Sequence, residues 1–116
     1  MRLLDLDPRW LVKDGRRGGF IFLSPAGQKG PVWWRQTCFF VPTPFREQCA
    51  LVWEAMVDQA EKDRQFSNWQ PCDQACSWAA HGALEFESLT VTPSLDGSAG
   101  GLWHGFVTNG QITGGI

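Results

Sequence analysis

PVWWRQTCFFV, residues 31–41, is the stretch whose reading decides the fold. Its aromatic and β-branched residues favour a pleated, half-buried strand. Alternation assigns Val32, Trp34, Gln36, Cys38 and Phe40 to one face and Trp33, Arg35, Thr37, Phe39 and Val41 to the other. Neither face is polar enough for water, so the strand is expected to be covered on both sides.

On its N-terminal side, SPAGQKGP (24–31) is loop chemistry, with Pro and Gly at both ends. Before it, RWLVKDGRRGGFIFL (9–23) sets an apolar run on each side of Asp14-Gly15, a dipeptide that supplies the positive φ of a tight hairpin turn. Strands are expected near Trp10–Val12 and Gly19–Leu23.

On the C-terminal side the period changes. In PTPFREQCALVWEAMVDQAEKDRQ (42–65), Thr43 suits an N-cap and Pro44 a first helical position. Phe45, Cys49, Val52, Trp53, Met56 and Ala60 recur at helical spacing, which predicts one long helix ending near Arg64–Phe66 with its apolar stripe on the sheet. A shorter helix is read in DQACSWAAHG (73–82), with Asp73 as N-cap and Gly82 as its stop. In LEFESLTVTP (84–93), Leu84 and Phe86 alternate in one phase and Leu89 and Val91 in another, a slip at Ser88 that suggests a bulge. Beyond a glycine-rich loop, Leu102–Val107 reads as a strand, Asn109-Gly110 as a type I′ turn and Gln111–Thr113 as the return strand. The order of elements predicts an α+β fold: a mainly antiparallel β-sheet with one long and one short helix packed on one side, in a single domain spanning 1–116.

Composition narrows the function classes. Ten Lys and Arg against twelve Asp and Glu give a formal net charge of −2, which argues against a phosphate-tracking nucleic-acid binder. MRLLDLDPRW has acidic residues where a signal peptide needs an apolar run, and no stretch is long and apolar enough to span a membrane. The chain is therefore expected in the cytoplasm, with Cys38, Cys49, Cys72 and Cys76 as free thiols in a reducing compartment.

Three kinds of site compete. Cys72, Cys76, His81 and His104 are the residues that would bind a metal, but zinc sites bring ligands in close pairs. On a helix, Cys76 and His81 would point about 140° apart. No metal or other cofactor is expected. Catalysis would centre on His104 with Asp96 and Ser98, since Ser94, Asp96 and Ser98 crowd the preceding loop. That loop matches neither GxxxxGK[ST] nor GxGxxG, so its glycines serve the backbone, and His104, in phase with Leu102 and Phe106, is expected to be hydrogen-bonded and partly buried. The third kind is a binding face. Seven Trp and eight Phe are more than the core of so small a chain needs. Trp33, Arg35, Trp69 and Trp78, with Asp96, Ser98 and Gly100 in the loop, are the expected contacts, because Trp and Arg dominate interface hot spots.

At LTVTPSLDGSAGGLWHGFVTNGQI, Leu89–Ile112, the chain resembles a group of short phage and prophage proteins of undetermined role that share a TPS(L/I)D...G.WHGFITNGE ending. These are sometimes grouped with a domain of unknown function ending PSIGN...SH.WI..G. The N-terminal RWL..DG.R.GF.F.SP is similar more loosely. The resemblance implies a phage-related origin and a place of action in the bacterial cytoplasm. Relatives in the broader family carry cysteines near the first strands and before the histidine, consistent with metal binding; FLSPAGQKG and Gly101–Trp103 supply none here. The expectation is a phage-encoded protein that binds another macromolecule, such as a host or defence factor. A small hydrolase-like or ligand-binding protein centred on His104 is the alternative, and a virion or assembly component a further one. A protein is the expected partner, with a second copy of the chain also admitted.

Overall fold

The computed structural model describes residues 1–25, 31–68, 77–96 and 103–114. A short 3₁₀ turn (Leu3–Leu6) is followed by β1 (Arg9–Lys13), β2 (Arg16–Pro25), β3 (Pro31–Phe39), α1 (Phe45–Ala55), α2 (Gln59–Asn68), β4 (Ala79–His81), β5 (Thr90–Asp96), β6 (His104–Thr108) and β7 (Gln111–Gly114). The fold class is α+β. The strands form two antiparallel sheets rather than one, in the orders β1-β2-β3 and β4-β5-β6-β7.

Alternation along β2 explains the layering. Ile21, with Leu11 and Phe39, meets Val52 and Met56 from the helical side. Phe20 and Phe22, with Cys38, point the opposite way and pack on Leu89, Val91, Leu95, Trp103, Val107 and Ile112, joined by Leu3 and Leu6 from the N-terminus. The three-stranded sheet is thus the middle layer, with helices on one face and the four-stranded sheet on the other. Both faces of β3 are covered, as its sequence demands: Arg35 and Phe39 are buried on one, Gln36 and Cys38 on the other. Full burial of side chains such as Phe20 and Phe22 contributes about 1.5–3 kcal/mol each.

The turns follow the sequence. Asp14 and Gly15 take φ of 53° and 76°, and Asn109 and Gly110 take 48° and 73°, so both hairpins close with two left-handed residues.

The helical region departs from expectation in two ways. The single long helix is interrupted: Met56 is extended, with φ −81° and ψ 143°. The Asp58 carboxylate accepts the Glu61 N–H at 2.9 Å, and Glu61 Oε1 accepts the Val57 N–H at 3.2 Å. Asp58 thus caps a new helix from inside the apolar stripe, and Glu61 reaches back to the residue before it. At the other end, Thr43 does not cap. Its hydroxyl donates to the Val41 carbonyl, and Pro44 occupies the N-cap position.

The second expected helix is overturned over its described part, 77–82, where Ala79–His81 forms β4 against β5; Asp73 lies outside the described residues. Pairing with β5 outweighs the modest helix preference of Ala79 and Ala80. Gly82 does carry positive φ, 77°, but it turns the chain out of a strand. Residues 84–88 are turn rather than bulged strand. Phe86 stacks on Trp10 at 4.0 Å and 9°, Arg17 lies over the Trp10 ring at 4.6 Å, and the Arg17 guanidinium donates to the Leu84 carbonyl. The alternation of Leu84 and Phe86 therefore reflects docking of a turn onto β1 and β2.

Candidate functional site

Two surfaces emerge from this architecture: the outer face of the four-stranded sheet and the outer margin of α1. Each is positioned by buried polar contacts.

The first surface depends on Trp103, whose ring is 1 % exposed. Its backbone N–H donates to Gln36 Oε1 at 3.0 Å and to Ser24 Oγ at 3.2 Å, while Gln36 Nε2 donates to its carbonyl at 3.1 Å. A side-chain amide thus pairs with the backbone just before β6 and satisfies polar groups that burial would otherwise penalise. With Trp103 inward, His104 must point outward, and the alternation Gly105 in, Phe106 out, Val107 in follows. His104 is therefore exposed, correcting the expectation of partial burial. Its Nε2 lies 3.2 Å from the Ser94 hydroxyl. Nearby, the Trp78 indole donates to the Ser94 carbonyl at 3.1 Å. His81 Nε2 meets Thr92 Oγ1 at 2.7 Å. Phe106, 51 % exposed, adds the large apolar side chain of this face.

Register separates the two histidines. His81 is opposite Thr90 and His104 opposite Asp96, six residues apart on β5 or roughly 20 Å at strand rise. The structure does not bring them to one ion. Among the described residues no cluster of three His, Cys, Asp or Glu side chains could hold a metal. Cys72 and Cys76 lie outside the described residues, as do Ser98, Gly100 and Trp69. Trp33 is placed on β3 and Asp96 at the end of β5 by the backbone.

Arg35 is not a surface contact. It is 4 % exposed, and its guanidinium donates to the Asp7 carboxylate at 2.6 Å and to the Asp7 carbonyl at 2.8 Å. Its own backbone N–H and carbonyl are engaged by the Gln65 side chain, at 3.2 and 3.3 Å. Arg9 completes the network, donating to Asp7, Glu61 and the Ala55 carbonyl. Burial alone would raise the Asp7 and Glu61 pKa values, but hydrogen bonds and proximity to Arg35 and Arg9 for Asp7, and to Arg9 for Glu61, outweigh it and hold both below the usual range. The guanidinium of Arg35 is a structural tie between β3 and the N-terminal segment. Trp78 is half-buried between the sheets, with its backbone N–H donating to the Phe39 carbonyl at 2.9 Å.

The second surface was hidden in the helical stripe. On α1, Gln48 and Val52 face the sheet. Phe45, Cys49 and Trp53, each four residues on and about 40° further round, run along the margin of that face. Phe45 is 57 % exposed and Trp53 44 %, although both belong to the stripe expected to lie on the sheet. The Trp53 ring meets Phe66 edge-on at 5.5 Å, and the Lys62 ammonium sits 4.6 Å over it. The signal was the width of the stripe: Val52 and Trp53 are about 100° apart, so Trp53 falls at its edge. An exposed indole was expected, but at other positions.

No described helix is long and apolar enough to cross a membrane. Compared with protein-family models, curated proteins and solved structures, the chain matches none.

Proposed function

We propose that this chain works by binding another protein, with the Phe45–Cys49–Trp53 margin of α1 as the contact. One observation carries the reading: a helix that buries Val52 leaves two large aromatic side chains half exposed beside it. Aromatic residues of this kind supply much of the energy of protein interfaces, because they offer large apolar area at small entropic cost. Lys62, held over Trp53, keeps one side of that ring in place and reduces the ordering that binding must impose. The resemblance of Leu89–Ile112 to phage and prophage proteins supports a phage-related origin, which directs the search to bacterial host proteins, defence components included.

The test compares the full wild-type chain with the double variant Phe45→Ser/Trp53→Ser as bait in bacterial extract, with thermal melting to verify that both are folded. A partner retained by the wild type should bind the variant about thirtyfold more weakly, the effect of losing a hot spot of about 2 kcal/mol. Recovery of the same proteins by both baits, or of none by either, would sink the proposal.

A further inference from the structure

The ladder between β5 and β6 sets Ser94 beside His104 on the face of the four-stranded sheet that points away from the middle sheet. Asp96 is the direct partner of His104, and Leu95 that of Gly105. Ser94 is diagonal to His104 on the same face, and its hydroxyl lies 3.2 Å from Nε2. Between Val91↔Val107 and Leu95↔Gly105, four steps of β5 run against two of β6, so the strand carrying Ser94 is displaced from regular pairing. Irregularities of this kind re-aim side chains and recur beside active sites. Ser94 is also fixed from behind, because its carbonyl accepts the Trp78 indole N–H. His104 is fixed by the burial of its neighbour Trp103. Neither α1 nor α2 packs on this face: the helices join the other core cluster, on the far side of the middle sheet. A small molecule therefore reaches the hydroxyl without displacing α1 or α2.

We propose that Ser94 is a nucleophile activated by His104, and that the site takes activated acyl or phosphoryl esters. In the step required, Ser94 Oγ forms a bond to the carbonyl carbon or phosphorus, and the bond to the leaving group breaks with its electron pair. The hydroxyl proton passes to His104 Nε2. The chemistry is independent of the α1 surface, and neither reading depends on the other.

The experiment treats the full chain with a biotin-tagged fluorophosphonate and maps the adduct by mass spectrometry. Phosphorus gains the Ser94 oxygen and loses fluoride, so the label reports the nucleophile directly. The adduct is expected on Ser94, to vanish in Ser94→Ala, and to form about 100-fold more slowly in His104→Gln and His104→Asn, the usual contribution of a general base. Circular dichroism on each variant separates loss of reactivity from loss of fold. The proposal is overturned if the folded wild-type chain takes no label, if the label lies on Ser98 or any serine other than Ser94, or if the His104 variants label at the wild-type rate.

Discussion

The two hairpins of this molecule close with the same turn chemistry and occupy opposite situations. Asp14-Gly15 projects into solvent, and a Cβ added at Gly15 would meet nothing within 4 Å. Asn109-Gly110 is a point of convergence. The Gly110 N–H donates to the Leu89 carbonyl at 2.8 Å, its carbonyl accepts the Leu3 N–H at 2.8 Å, and the Asn109 N–H donates to Thr90 Oγ1 at 2.9 Å. A Cβ at Gly110 would collide with the carbonyl of Glu87. The same dipeptide logic thus makes a peripheral turn in one sheet and a junction of three segments in the other. Local sequence specifies the turn, and tertiary context decides what depends on it.

Substitution by alanine measures the difference. Gly110→Ala incurs the left-handed backbone cost of about 1–2 kcal/mol. Displacing backbone to relieve the collision adds about 1–3 kcal/mol, as overpacking usually does. A total of about 2–5 kcal/mol is a large part of the stability of a typical domain. Gly15→Ala should lose the backbone term alone, about 1–2 kcal/mol. Urea denaturation of both variants checks the gap, and equal midpoint shifts would show that the second turn is no more constrained than the first.

What was legible in the sequence follows the same division. Asp14-Gly15 and Asn109-Gly110 were readable because two left-handed residues in succession demand particular side chains. The double cover of β3 was readable because Arg35 and Gln36 alone could not make either face polar. The helical break at Met56–Asp58 was less visible, because Val57 and Asp58 interrupt a stripe whose period continues past them into Ala60. Its signal, Asp58 three residues before Glu61, is local and was present. The turn at 84–88 was not readable. Its apolar residues pack on Trp10 and Arg17, more than sixty residues away, and no local pattern encodes that contact. For the candidate sites, the sequence drew attention to His104, but only the ladder sets Ser94 beside it. Arg35 was misplaced because the residue type favoured at interfaces is equally suited to a buried pair with a carboxylate.

The hairpins also differ in what ties them to the rest of the chain, and acid should expose this. β1 is linked to its surroundings by charge: Arg9 to Asp7 and Glu61, and Lys13 to Glu47 at 2.6 Å. None of the described ion pairs reaches β6 or β7, which rely on backbone hydrogen bonds and on the burial of Val107 and Ile112. Because the folded chain holds the Asp7 and Glu61 pKa values below their unfolded ones, the stability they contribute is complete above the ordinary carboxylate range near pH 4 and is lost as pH falls through the folded values. The effect is the smallest of those considered, since Asp7 is largely exposed and solvent screens its pairs. Amide hydrogen-exchange protection factors at pH 6 and pH 3 resolve it. Protection at Leu11 and Ile21 should fall relative to that at Val107 and Ile112, and Glu61→Gln should reproduce part of that imbalance at pH 6. A parallel fall in both hairpins would mean that the charged network stabilises the molecule as a whole, and that the difference between the two hairpins is confined to their turns.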